Sequence, residues 1–237
     1  MEQGREETYP TDAHQEMADA EGKLEDAPQK VRTLRRFYQG IAVLLVLLMI
    51  FWIIPAYTIK IDPEPRQIPT VQEARPGNFS LSPIKVSFPT PDQFYEFVHP
   101  EDPVVKQTAD YVISRACEGR EGRICNAKAL FYFVRDKFAY TNDPLSYEYV
   151  KTPRESLRSP VGDCDDASVL LASLLRAEGI DTRFVFIPGH VYVKAYLPDA
   201  RRKYHDGDFW VALDATCEYC GFGEIPYKNQ DAKKKLI

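Results

Sequence analysis

Gly162-Asp163-Cys164-Asp165-Asp166, followed without a break by Ala167-Ser168-Val169-Leu170-Leu171-Ala172-Ser173-Leu174-Leu175, describes a helix entered abruptly from a polar turn. Gly162 permits a tight entry, and Asp163 is suited to cap the first free backbone amides. Val169, Leu170, Leu171, Leu174 and Leu175 are too many apolar residues for one narrow stripe, which predicts a central, buried helix. Glu178-Gly179 closes it with glycine at the C-terminal cap. Cys164 therefore falls in the first turn, where the positive helix end favours a thiolate. The same free amides are placed to receive a developing oxyanion.

A thiol nucleophile needs a proton shuttle. Pro188-Gly189-His190 opens a strand-like run, and Leu213-Asp214 closes the next one. An imidazole and a carboxylate on successive strands suffice to activate Cys164 and to fix the imidazole tautomer. Taken singly, His190 reads as a core histidine and Cys164 as a small buried hydrophobe. Taken together and in this order, Cys164, His190 and Asp214 read as a catalytic triad. A metal site built on Cys164 and its neighbouring acids is the weaker reading, because one soft thiol among hard carboxylates suits no common ion. Asp165 and Asp166 are expected to be surface residues facing the helix dipole, with Asp166 paired to Arg154 or Arg158.

Three further runs carry a resemblance. Thr152-Pro153-Arg154-Glu155-Ser156-Leu157 precedes the Cys164 segment, His190-Val191-Tyr192-Val193 follows it, and Trp210-Val211-Ala212-Leu213-Asp214-Ala215-Thr216 comes last. Together with the helix from Ala129-Leu130 to Phe138-Ala139-Tyr140, they resemble the core of transglutaminase-like proteins over residues 100–225. The resemblance implies a papain-like fold and acyl transfer through a thioester, with Cys164 as nucleophile, His190 as base and acid, and Asp214 as the orienting acid. It also implies an aromatic or polar side chain beside the oxyanion. Tyr140 and Tyr147 are the candidates, and a plain core or surface tyrosine is the alternative for each.

Outward from that centre, Asp102-Pro103 marks a helix start, with Val104, Val105, Ala109, Val112, Ile113 and Ala116 at helical spacing. A second helix is expected over 126–138. Strands are expected at Thr182–Ile187, His190–Tyr196 and Phe209–Leu213, joined in the last case by a polar connection over Pro198–Asp208. Helices first and strands afterwards predict an α+β domain: a central nucleophile helix packed on an antiparallel sheet.

The N-terminal part differs in kind. Residues 1–33 are acidic, nearly free of aromatics and lack an apolar run, so they are expected to be a disordered cytoplasmic tail. Phe37 to Ile59 holds no charged residue, and Ile41 to Ile54 is continuously apolar. This predicts a transmembrane signal anchor at 34–59 rather than a core helix, with Tyr38, Trp52 and Tyr57 at the interfaces. Arg32, Arg35 and Arg36 precede the span, which places the N-terminus in the cytoplasm and residues 60–237 outside. A cleaved signal peptide fits less well, because no small-x-small site follows Ile54. Residues 60–100 read as a Pro-rich linker and lead-in, with a stiff spacer over 62–76. Asn78-Phe79-Ser80 is a glycosylation sequon. Residues 101–237 are left as the catalytic domain.

The net charge of −5 arises largely from the tail, and no basic stripe points to nucleic acid. Besides Cys164 there are four cysteines. Cys117 with Cys125 and Cys217 with Cys220 suit two disulfides outside the membrane. A four-thiolate zinc site from the same residues and free thiols are the alternatives. No cofactor is expected. The partners expected are a protein or peptide substrate and the membrane through residues 37–59.

The reading that follows is a membrane-anchored thiol peptidase or amidase outside the cytoplasm. Hydrolysis is favoured over glutamine crosslinking, since crosslinking needs shielding of the acyl-enzyme and a second amine site, and the sequence displays no accessory domain. A non-catalytic envelope binding module is the rival from another class. Loops over 140–150, 196–210 and 221–227 are expected to line the groove.

Overall fold

The computed structural model describes residues 29–81, 89–120, 122–143 and 149–237, with the side chains of 29–32 and 55–60 outside that description. The acidic tail up to residue 28 and Tyr147 fall outside it as well, so the disorder expected for the tail lies beyond the described residues. The chain divides into two units, Met1–Ala56 and Tyr57–Ile237.

Helix α1 (Gln29–Ile61) includes 22 consecutive residues of the first unit, Thr33–Ile54, long and apolar enough to cross a membrane. At 1.5 Å per residue they extend about 33 Å, close to the hydrocarbon thickness. Their side chains are exposed throughout.

The second unit begins its packing earlier than a spacer would. Asp62 is buried, Arg66 N–H donates to Ala116 O at 2.9 Å, and Val71 and Ala74 enter the core. The short helix α2 (Val71–Ala74) owes its start to a reciprocal capping box between Thr70 and Glu73. The segment read as a stiff spacer is thus part of the folded domain over residues 62–74. Its prolines are compatible with either state, and the deciding contacts come from distant residues.

Helix α3 (Pro103–Ala116) starts as expected, with the Asp102 carboxylate accepting from Val104 N–H at 2.8 Å and Pro103 in the first turn. The Cys117–Cys125 disulfide closes the turn into α4 (Arg123–Lys137). Strand β1 (Ala139–Tyr140) runs parallel to β2 (Val161–Gly162), and between them lies α5 (Pro153–Arg158), capped by Thr152 and Glu155. Helix α6 (Cys164–Ala177) follows at once, and each residue from Asp166 to Leu175 is buried. Gly179, at φ +68°, takes the left-handed turn that ends it.

The sheet comprises β3 (Thr182–Ile187), β4 (His190–Tyr196), β5 (Trp210–Leu213) and β6 (Lys235–Leu236), after a one-turn helix α7 (Tyr227–Gln230). Its order is β5-β4-β3-β6 and every pairing is antiparallel, with Ile187 opposite His190 and Val193 opposite Leu213. Val191, Val193, Val211 and Leu213 face α6 in one continuous core. Tyr192 and Ala212 pack on the opposite face with Val185 and Ile187. This is the mixed helix-and-sheet arrangement expected, with α6 at its centre. The second disulfide, Cys217–Cys220, follows β5. With both pairs oxidised, none of the four thiols is left for zinc, so the four-thiolate alternative does not hold.

Candidate active site

Helix α6 begins at Cys164, the one free cysteine, which is partly exposed. Asp163 caps the helix, accepting from Asp165 N–H at 3.0 Å and Asp166 N–H at 3.5 Å. The cap therefore occupies two amides that were expected to be free for an oxyanion. It also sets a carboxylate next to the sulfur. The Cys164 thiol donates to Asp165 Oδ1 at 3.5 Å. Burial, followed by the charges of Asp165 and Asp163, pushes this thiol up to about 12, against the pull of a hydrogen bond from Val191 N–H. The helix end alone favours a thiolate, but desolvation and two adjacent acids outweigh it. This direction is opposite to that of the thiolate expected from its position.

His190 opens β4 directly after the Pro188-Gly189 turn, and Asp214 follows the last residue of β5. Antiparallel pairing of these strands brings the two side chains together, with His190 Nε2 and Asp214 Oδ2 2.8 Å apart. Asp214 is buried, and its other oxygen accepts from Thr216 Oγ1 at 2.8 Å and Thr216 N–H at 3.2 Å. Both carboxylate oxygens are thus fixed, and Nδ1 is the imidazole nitrogen that Asp214 does not engage. Cys164 and His190 line the same cleft of about 400 Å³. Ser168 Oγ donates to Val191 O at 3.2 Å and ties the nucleophile helix to the histidine strand.

Tyr140 stands opposite Gly162 in the β1–β2 pair, and Thr141 N–H donates to Gly162 O at 2.8 Å. Burial raises its phenol, as do the acidic groups of Cys164, Asp163, Asp165 and Asp214, and its hydroxyl donates to Asn142 Oδ1 at 3.1 Å. Tyr147 lies outside the described residues.

Asp166 is not the surface residue expected. It is fully buried, Lys151 N–H donates to its Oδ1 at 2.7 Å, and Lys151 Nζ lies 3.2 Å from its Oδ2. Burial pushes this carboxyl up to about 6, with Lys151 working against it. Arg154 pairs instead with Asp102, and Arg158 donates to Phe79 O at 2.5 Å. The periodicity of α6 places Asp166 one turn ahead of Leu170, on the inward face. A polar residue there demands a partner, which the 149–152 segment supplies. Gly162 is also explained differently. Its φ is not in the left-handed region; it is glycine because a Cβ there would meet Asp166 Cβ and Cγ at 2.8 Å.

The cleft walls differ from those expected. Pro89, Pro91, Phe94, Phe186 and Ile187 surround Cys164 and His190, so the segment before α3 and the β3–β4 turn supply them. The loops over 196–210 and 221–227 lie elsewhere; the second borders a separate hollow with Tyr219 and Lys234. Tyr140 lines a further hollow of about 400 Å³ with Arg135, Thr216 and Glu218. The donor atoms of Asp163, Cys164 and Asp165 lie within 4.8 Å of one another. Two hard carboxylates and one thiol still suit no common ion.

Residues 110–215, which include Cys164, match the family model of the transglutaminase-like superfamily. Among solved structures, Legionella pneumophila LapG is 14% identical, with 61% of this chain and 81% of that chain covered at a TM-score of 0.39. The periplasmic domain of Pseudomonas aeruginosa TgpA is 18% identical, with 54% and 50% covered at 0.36. A Parabacteroides distasonis protein is 16% identical, with 46% and 26% covered at 0.34, so the chain spans about a quarter of that protein's length. No curated protein matches the chain.

Proposed function

We propose that the chain is a membrane-anchored thiol enzyme that cleaves amide bonds by way of a thioester on Cys164, with its catalytic domain outside the cytoplasm. The observation that carries this reading is the His190–Asp214 contact of 2.8 Å at the rim of a cleft shared with Cys164. Asp214 holds the imidazole with Nε2 bound, and Nδ1 takes the proton of Cys164 as sulfur attacks the carbonyl. Because the resting thiol is neutral, proton transfer accompanies attack instead of preceding it. The protonated imidazole then gives that proton to the leaving amine. Water, deprotonated by the same imidazole, releases the acid and restores the thiol. Tyr140 is the side chain assigned to the oxyanion, in place of the amides that Asp163 occupies.

The membrane orientation rests on the Arg35-Arg36 pair before an uncharged span and on the two disulfides beyond it. Protease added to intact cells should remove the domain and spare the N-terminal tail; a protected domain would reverse the topology.

The test of the chemistry uses the full chain in detergent micelles with p-nitrophenyl acetate. Intact-mass measurement should find one acetyl group on Cys164, absent in Cys164→Ala and at least a hundredfold slower to form in His190→Ala. Adding glycine methyl ester separates the two outcomes of deacylation. Release that ignores the amine indicates hydrolysis, and accumulation of N-acetylglycine methyl ester indicates transfer. Acetylation that persists unchanged in His190→Ala would leave a binding module as the better reading.

A further inference from the structure

We infer that the cleft beside Cys164 is an apolar subsite, and that the preferred substrate carries a large aliphatic or aromatic residue next to the scissile amide. This rests on the thiol-enzyme reading above and adds the class of side chain it accepts. Apart from Cys164, Asp165 and His190, the walls are made by Pro89, Pro91, Phe94, Phe186, Ile187, Gly189 and Val191. Among the side chains of these walls, the carboxylate of Asp165 is the single polar group that does not belong to the proposed chemistry. It is already engaged with the Cys164 thiol. A glutamine or glutamate side chain placed here would lose water without gaining a hydrogen-bonding partner, which is unfavourable.

The apolar wall is also rigid. The rings of Phe94 and Phe186 meet edge to face at 4.8 Å, and Phe94 meets Phe184 at 5.5 Å, so the pocket floor is braced from the core. Phe94 is buried while Phe186 is partly exposed. Phe186 is therefore the ring a substrate side chain would cover. Ile187 is paired with His190 across the β3–β4 turn, so the wall and the imidazole belong to one hairpin. A side chain seated on Phe186 rests on the hairpin that carries His190, which makes the same contact useful for positioning as well as for affinity. The volume, about 400 Å³, accommodates one large side chain with part of its backbone.

The experiment incubates the full chain in detergent with a mixed-sequence peptide library and maps the cleaved bonds by mass spectrometry, with p-nitrophenyl acetate acylation measured on the same preparation. Phe, Leu, Ile and Met should be enriched at one position flanking the cleaved bond, with kcat/KM about ten- to hundredfold above Gln, Glu or Ala there. Phe186→Leu should keep the preference, and Phe186→Ser should lower it about tenfold. Cleavage without that enrichment, or with Gln or Glu preferred, overturns the inference and leaves the thiol chemistry standing. Acetylation of Cys164 with no library peptide cut has the same meaning. Neither acetylation nor cleavage removes both readings.

Discussion

The Asp166 carboxylate occupies the space into which any side chain on Gly162 would project. Two residues upstream of the nucleophile, the backbone is pressed against a buried acid, and the same acid holds Lys151 by its amide and its ammonium. The entry to α6 is therefore set from two sides at once.

Gly162→Ala should lower stability by about 1–3 kcal/mol, the usual effect of forcing extra atoms into a packed site. Thermal unfolding of the full chain in detergent checks this. Combining Gly162→Ala with Asp166→Ala should restore part of the loss, because the second change removes the clashing group. Strictly additive losses would show that the two residues are independent.

The buried carboxyl makes stability depend on pH in a particular direction. In the folded chain Asp166 titrates at about 6, above its unfolded value near 4, so the folded state binds the proton more tightly. Between those values stability rises as pH falls, and above pH 6 the ionised group costs about 3 kcal/mol relative to its protonated form. Asp166→Asn should flatten that part of the profile in denaturant titrations at pH 4 to 7. The asparagine oxygen can still accept from Lys151 N–H.

Asp165 is the larger of the two charges that keep the Cys164 thiol protonated. Removing it favours the thiolate, so Asp165→Asn should speed iodoacetamide labelling of Cys164 at pH 8 by about three- to tenfold, since one unit of pKa is tenfold in thiolate. The comparison belongs in a His190→Ala background, where no imidazole takes the proton. An unchanged rate would mean that burial alone sets the thiol.

Lys128 is fully buried, with its ammonium on the carboxylates of Asp62 and Glu64 and 5.2 Å from the Tyr204 ring. Burial opposes its charge, and the bonds to Asp62 and Glu64 more than compensate, so its pKa is raised. Lys128→Met should destabilise by about 1–3 kcal/mol, since Asp62 loses a buried partner but keeps Tyr204, Arg201 and Lys203. Lys128→Met with Asp62→Asn should recover part of it, read by the same unfolding measurement.

Much of this fold was legible because local signals agreed with one another. The Asp102-Pro103 start, the apolar density of 169–175 and the three β-branched runs each pointed to the element that formed. Lys235-Leu236, a two-residue strand in a lysine-rich stretch, carried no such signal, and neither did the two-residue strands at 139–140 and 161–162. At the site, the helix start at Cys164 and the meeting of His190 with Asp214 were readable. The resting protonation of Cys164 was not, because it depends on how deeply the sulfur lies and on which amides Asp163 occupies. Asp166 and Lys128 were missed for a related reason. Their partners are 15 and 66 residues away, and only the folded chain shows that a charged residue has one.

The pairing of Lys128 with Asp62 and Glu64 bears on how the domain could be shed. A protease cutting between Ile61 and Asp62 would release it with its acids in place. One cutting a few residues later, after Glu64, would strand an ammonium in the interior. Secreted forms that begin at Asp62 should therefore survive, and those that begin beyond Glu64 should be cleared as misfolded protein. The position of the cut would decide whether shedding yields a diffusible domain or ends its life.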